Sequence, residues 1–445
     1  MDSRSIALLH GLIVTMDRDR RIIEDGGVLI EGDTITAVGK AEEVESSYSF
    51  DLKLDVKGKI VLPGLIDSHR HLYGILTRGM PVRKVPSSFI SFLEDLWWPF
   101  VENRLDKDMI YAAALASGLE AIKNGTTCIA DILEAPFAIP GALEVEARAM
   151  EELGLRAILS FEATERVSEE NGELGVKENL DFIRSRRGDA LIRGMFCVHT
   201  TFTCSPELLK EVRELANREG AGIHMHLEEG AYETMYCLVK YRKLPVQFYD
   251  EIGFLGPDVL AAQCVHTRPE ERRIMAERGV KVSHEPLSNC EVGGGIAPVP
   301  EMIEEGLVVG LGTDGYIVDE FEVMRAAFLI HKGRLRDPRV MPAEKVLEMA
   351  TIDNARALGM DHLIGSIEPG KKADILILDY KPPTSVGKSN VVSHIVTYAR
   401  GSDVDTVIIN GRIVVMEGRV LTVNEEEVLI RAREEALRLW EAIRH

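Results

Sequence analysis

Two histidines one residue apart, His69 and His71, close the run VLPGLIDSHRH, whose apolar part ends at Asp67. In an extended strand alternate side chains share a face, so both imidazoles point one way and Arg70 the other. Side by side at a strand end, they can fill two positions of a tetrahedral metal site. Such pairs are common, so the placement of the remaining histidines decides. The chain has twelve. Seven of them (His69, His71, His199, His224, His226, His266 and His284) stand at or just beyond the ends of strand-like segments.

The elements that position them alternate. Helical DMIYAAALASGLEAIKNG runs through a glycine into strand TTCIADI, and helix 141–154 leads to LRAILSFEAT. Helix 173–187 precedes IRGMFCVHTTF, and a Ser205-Pro206 helix start precedes AGIHMHLEE. VLAAQCVHT, VKVSHEPLSN and LVVGLGTDG follow, each separated by helix. Counted from VLPGLIDSH, this is eight βα units, the arithmetic of an α/β (β/α)8 TIM barrel over residues 61–365 rather than an open doubly wound sheet. Residues 1–60 and 366–423 read instead as short strands and tight turns, with hairpin signals at EGD and at Asn410-Gly411. Both ends therefore pair into one small composite β-sandwich domain. Residues 424–445 form an amphipathic C-terminal helix that braces the surface.

In a barrel of this kind the active site lies at the C-terminal ends of the strands. Asp314, in GLGTDG, ends the eighth strand and so stands next to the first. His69, His71, His226 and Asp314 then converge, three neutral nitrogens and one carboxylate, a set that suits one zinc or ferrous ion with a position left for water. An ion so held lowers the pKa of that water to about 7. Glu229, three residues after His226, is placed to take the proton and pass it on. His224 shares a strand face with His226, so spacing alone does not choose between them; the one nearer the strand end is the expected ligand. His199 and His284 read as substrate contacts or as hydrogen-bonded core, and Arg166 and Glu162 as substrate contacts or surface.

Composition narrows the partners. A formal charge of −20, without a basic run, excludes nucleic acid and anionic membrane, which reward clustered Lys and Arg. No apolar run approaches the roughly 20 residues of a membrane span. The N-terminus lacks the features of a signal peptide, so a cytoplasmic location is expected. Six scattered cysteines without a CxxC pair argue against a disulfide framework and a cysteine zinc site. With only two glutamines, Gln247 and Gln263, and many charges, the composition leans toward that of thermophile proteins.

The motifs PGLIDSHRH, HMHLEE, SHEPLSN, GGGIAPV, GLGTDG and GSIEPGKKADILILD, in this order over nearly the whole chain, resemble the amidohydrolase superfamily in its cytosine deaminase/chlorohydrolase-like branch. LEDLWW, SGLEAIKNGTT, GLRAILSFEATER, HTTFTCSP and FEVMRAAFLIHK are most similar to its SsnA-type aminohydrolases. The resemblance implies a mononuclear metal in a barrel flanked by a composite β-domain. It carries the metal ligands onto His69, His71, His226 and Asp314, the proton shuttle onto Glu229, and a substrate contact onto His199. The implied reaction is hydrolytic: hydroxide attacks a ring carbon of a small aromatic heterocycle (purine, pyrimidine, pterin or triazine-like), and ammonia leaves. Release of chloride or an alkylamine from a triazine is the alternative. A homodimer is also implied. One departure matters. The sixth strand of these enzymes usually ends in AHCVH, whereas here AAQCVH puts Gln263 beside the expected water. An amide donates and accepts hydrogen bonds but carries no charge. Either the substrate needs a neutral amide there, or His266 swings in, or the chain is a catalytically silent metal-binding homologue.

Overall fold

The computed structural model describes residues 5–82, 85–315 and 317–444, with side chains through residue 441. Residues 1–4 and His445, the outer limits of the expected composite domain and C-terminal helix, lie outside the described residues. Eight parallel strands form the barrel: β1 (Leu65–Arg70), β2 (Thr126–Leu133), β3 (Arg156–Ala163), β4 (Phe196–Val198), β5 (Ile223–Leu227), β6 (Val259–Gln263), β7 (Lys281–His284) and β8 (Val308–Leu311). Each pairs with its successor in sequence order. Helices between them, among them Lys107–Lys123, Ala142–Leu153, Glu169–Ser185 and Pro206–Glu219, cover the outside. The strands are buried on both faces, as a parallel sheet wrapped in helices requires.

The seam between the last strand and the first is made by the residues that matter. Asp314 pairs with Arg70 in parallel register. Its amide donates to His69 O at 3.0 Å, and its carbonyl accepts from His71 N at 3.3 Å. Closing the barrel and bringing Asp314 to the two histidines are thus one event. Below, Asn354 staples the same seam: its side chain accepts from Leu311 N and donates to Leu311 O, each at 2.9 Å, and to Ile66 O. Gly310 must be glycine for this, since a Cβ there would stand 1.7 Å from Asn354 Oδ1.

The termini build one nine-stranded sheet that forks. Along one edge of Ser5–Val14, Leu52–Asp55 pairs with the first half and Ile60–Pro63 with the second. On the far side of Ile60–Pro63 lies Ile375–Leu378, followed by Val404–Ile409 and Arg412–Met416. Its two faces bury separate apolar clusters, one around Leu8, Val28 and Ile375, the other around Leu9, Leu29 and Ala41. Both hairpins signalled in the sequence form, at Gly32-Asp33 and at Asn410-Gly411. Ile60–Pro63 belongs to this sheet and Leu65–Arg70 to the barrel, so the chain crosses between them at Gly64. The apolar run that reads as one strand is two. The helix Glu425–Arg444 packs on Lys107–Lys123, with Trp440 Nε1 donating to Leu76 O at 2.8 Å.

A buried ion pair ties sheet to barrel. Arg156, at the start of β3, donates from Nε and Nη2 to the two oxygens of Asp374 at 2.7 and 2.9 Å. Both side chains are 2% exposed. Asp374→Ala would leave a guanidinium buried without its counter-ion, and should cost about 3–5 kcal/mol of stability in urea unfolding.

Candidate metal and catalytic site

The site lies at the C-terminal mouth of the barrel, where a cleft with a cavity of about 50 Å³ opens among β-strand ends and the helical segment carrying Trp97 and Trp98. His71, His226, Glu229 and Asp314 share its wall. His71 Nε2 is 3.2 Å from His226 Nε2 and 3.6 Å from Asp314 Oδ1, and His69 Nε2 is 4.0 Å from that oxygen. Ligand atoms of His69, His71 and His226 all lie within 4.8 Å of one another.

The hydrogen bonds fix which ring nitrogens are bare. His71 Nδ1 sits 2.8 Å from Ile132 O, so it carries the proton and its Nε2 presents a lone pair. Gln263 Nε2 donates to His69 Nε2 at 3.1 Å, so His69 Nδ1–H donates to His224 Nε2, also at 3.1 Å. His226 Nδ1 faces Glu162 Oε2 at 3.2 Å, leaving its Nε2 toward the others. Burial, reinforced by the neighbouring imidazoles, holds His69 well below the usual histidine range, and burial also lowers His71 and His226. Neutral rings with lone pairs converging beside a carboxylate are what a divalent cation requires; His69 and His71 each have the hydrogen-bonded outer partner that orients a ligand, while His226 Nδ1 only lies close to Glu162. The donor set fits the metal. His224 is thereby placed as the group orienting His69, its Nε2 engaged by that ring and its side chain outside the cavity lining. His224→Ala should weaken metal affinity about 10–100-fold, read by competition with a chelator.

Glu229 is buried, and its carboxyl is raised well above the usual range, first by that burial and then by Asp314, Glu285 and Glu162. Asp314 is held by Ser288 Oγ, which donates to Oδ2 at 2.8 Å. Gln263, on β6, keeps both β6 and its own backbone in place, its N–H donating to Glu285 Oε2 at 2.8 Å with φ at +64°. Its Nε2 is also 3.4 Å from Asp314 Oδ2. His199 lines the cavity, with Nδ1 2.8 Å from Thr203 Oγ1 and its ring edge toward Trp98. Burial, followed by His226, pushes it down to about 3, so it is a neutral polar contact.

Three sequence candidates go elsewhere. His284 bonds His331 Nε2 at 3.0 Å, inside the packing of β7 against the helix Glu320–Leu335, and does not line the cavity. Arg166 lies behind the wall. Its Nη1 donates to Asn103 at 2.8 Å, its Nη2 to Glu102 at 3.0 Å and its Nε to Glu134, with Trp98 stacked 5.1 Å away. His266 is half-buried past β6 and likewise does not line the cavity. Glu102 and Glu134 are the acidic lining residues that sequence reasoning missed, along with Ser288, which holds Asp314, and the apolar Phe89, Phe92 and Leu93. Glu134 follows the end of β2, the same kind of position that singled out the histidines; Glu102 sits in a loop turn and gives no such signal.

A parallel barrel with imidazoles and an acid converging at this mouth defines a metal-dependent hydrolase. Comparison with known proteins narrows the class. The amidohydrolase family profile matches residues 60–414. The 5'-deoxyadenosine deaminase of Methanosarcina mazei is 38% identical over 437 residues, 97% of each chain. The 5-methylthioadenosine/S-adenosylhomocysteine deaminase of Pelotomaculum thermopropionicum is 36% identical, covering 98% of this chain and 99% of its own. Among solved structures, an adenosine deaminase from Xanthomonas campestris with bound zinc superposes with a TM-score of 0.88 at 24% identity over 98% of both chains. The chain belongs to the amidohydrolase family and is a hydrolase acting on C–N bonds other than peptide bonds. The two relatives are named for deamination of adenosine derivatives rather than as SsnA-type enzymes.

Proposed function

We propose that the enzyme removes the exocyclic amine of an adenine nucleoside by hydrolysis, releasing ammonia and leaving the 6-oxopurine, with one zinc ion per chain. The observation that carries it is that His71, His226, Asp314 and Glu229 line one cavity together with the aromatic pair Trp97 and Trp98. The 36–38% identity to deaminases of adenosine derivatives, over almost the whole chain, supports the purine and the amine leaving group over chloride from a triazine.

His69, His71, His226 and Asp314 would hold the ion, which supplies a nucleophilic water at neutral pH and polarises the reacting centre. Glu229, buried on the same wall, takes a proton from the attacking water and returns it to the departing nitrogen. Asp314, its Oδ2 already engaged by Ser288, accepts a proton or hydrogen bond on the opposite side. His199, neutral, donates or accepts a single hydrogen bond at the heterocycle, and Trp97 and Trp98 pack against flat apolar surface while excluding solvent. Zinc-loaded protein incubated with 5'-deoxyadenosine or adenosine should release ammonia in step with the change in purine absorbance. Absence of ammonia from both, with the metal in place, would reject this reading.

A further inference from the structure

Two neighbouring residues of β2 grip the chain at His71. The ring Nδ1 of His71 donates to Ile132 O at 2.8 Å, and the next amide, Leu72 N, donates to Asp131 Oδ1 at 2.7 Å. Asp131 also stands opposite Arg70 in the register of β1 on β2. It does not line the cavity. Its carboxyl instead meets that of Glu146, on the covering helix Ala142–Leu153. Asp131 is 0% and Glu146 1% exposed. Asp131 Oδ2 and Glu146 Oε2 are both buried, and no donor among the described residues reaches either. Two ionised carboxylates there would repel each other and leave these oxygens unpaired, at a cost a protein interior rarely bears. One proton removes both faults, because a protonated carboxyl donates and its neighbour accepts. Burial, then the Asp131 charge, holds the Glu146 carboxyl well above the usual range. Asp131 already accepts from Leu72 N, so it is the partner suited to keep the charge.

We infer that Glu146 carries a proton, donates it to Asp131 and so keeps that carboxylate on Leu72 N, which makes the pair positioning residues for His71. The role presupposes the metal site proposed above, although Glu146 and Asp131 lie outside the cavity lining. Without the donor, Asp131 has a buried charged oxygen to satisfy and turns from Leu72 N to do so. The turn that aims the His71 ring then loosens, as when an outer partner of a metal ligand is lost.

The test compares Glu146→Gln, whose amide still donates to Asp131, with Glu146→Met, which keeps the length of the side chain and donates nothing. Zinc affinity is read by competition with a chelator, and folding by urea unfolding in chelator. Glu146→Gln should bind zinc within about threefold of wild type, and Glu146→Met about 10-fold more weakly. Asp131→Ala removes the grip itself and should weaken zinc at least as much, so either variant decides should the other not fold. Infrared difference spectra of wild type against Glu146→Gln, both in chelator at neutral pH, should show one protonated-carboxyl band lost. Wild type that binds no zinc would end both the metal assignment and the positioning role, and the band would then decide the shared proton alone. Wild-type zinc affinity in folded Glu146→Met or Asp131→Ala, equal loss in both Glu146 variants, or no band lost in Glu146→Gln would overturn the inference.

Discussion

Glu229→Gln should lower kcat by about 1,000-fold while leaving the metal content of the protein unchanged. Glutamine keeps the shape of the side chain and a hydrogen-bond donor in the cavity, but it cannot accept the proton of the attacking water. The position makes the substitution informative. Glu229 is buried, lines the same cavity as Asp314 and His226, and its carboxyl is raised above the usual range by burial and then by neighbouring acids. The residue would have no role as shuttle if the variant kept more than about a tenth of the wild-type rate. If it lost zinc along with activity, Glu229 would be acting on the metal instead.

How far this site was legible in the sequence depends on what each inference needed. Period-two alternation and a barrel rule suffice for His69, His71 and His226. Asp314 follows once eight units are counted, because closure of the barrel is what pairs it with Arg70. The same rule left His284 open between substrate contact and hydrogen-bonded core; it takes the second course, because its partner His331 comes from a helix nearly fifty residues on, a pairing no local pattern announces. Arg166 fails for a related reason, since its partners Glu102 and Glu134 belong to two separate loops. The join at Gly64 was hidden differently. Val61–Pro63 and Leu65–Asp67 are equally apolar, because each is buried in its own sheet, and hydropathy carries no mark of the change.

Gln263 shows what the sequence could pose but not answer. Its amide reaches two of the expected ligands, His69 and Asp314, and its Oε1 is buried without a partner. An imidazole at that place could share positive charge with the reacting centre; an amide can only orient it. A cation held by the His69 Nε2 lone pair would compete with the amide for that nitrogen, and Asp314 Oδ2 is the other acceptor within reach of Gln263 Nε2. Gln263 thus reads as a group that steadies Asp314.

His226→Ala should abolish zinc binding and with it all activity, the second large effect expected. His226 supplies one of three imidazoles around the convergence, and its Nε2 faces His71 Nε2 at 3.2 Å. Two imidazoles and a carboxylate remain in the variant, one donor short of the set that leaves a single position for water. His224 cannot stand in, because its Nε2 is already committed to His69 Nδ1. The measurement is thermal unfolding with and without zinc. A ligand at 100 times its dissociation constant stabilises the folded state by about 2.7 kcal/mol, so wild type should show a clear zinc-dependent rise in Tm. The variant should show none, while its Tm in chelator stays close to that of chelated wild type. A persistent zinc shift in His226→Ala, with stoichiometric metal by elemental analysis, would move the assignment to another donor. The second cluster, in which Glu162 and His199 approach His226, would lose the same residue and could not hold the ion either.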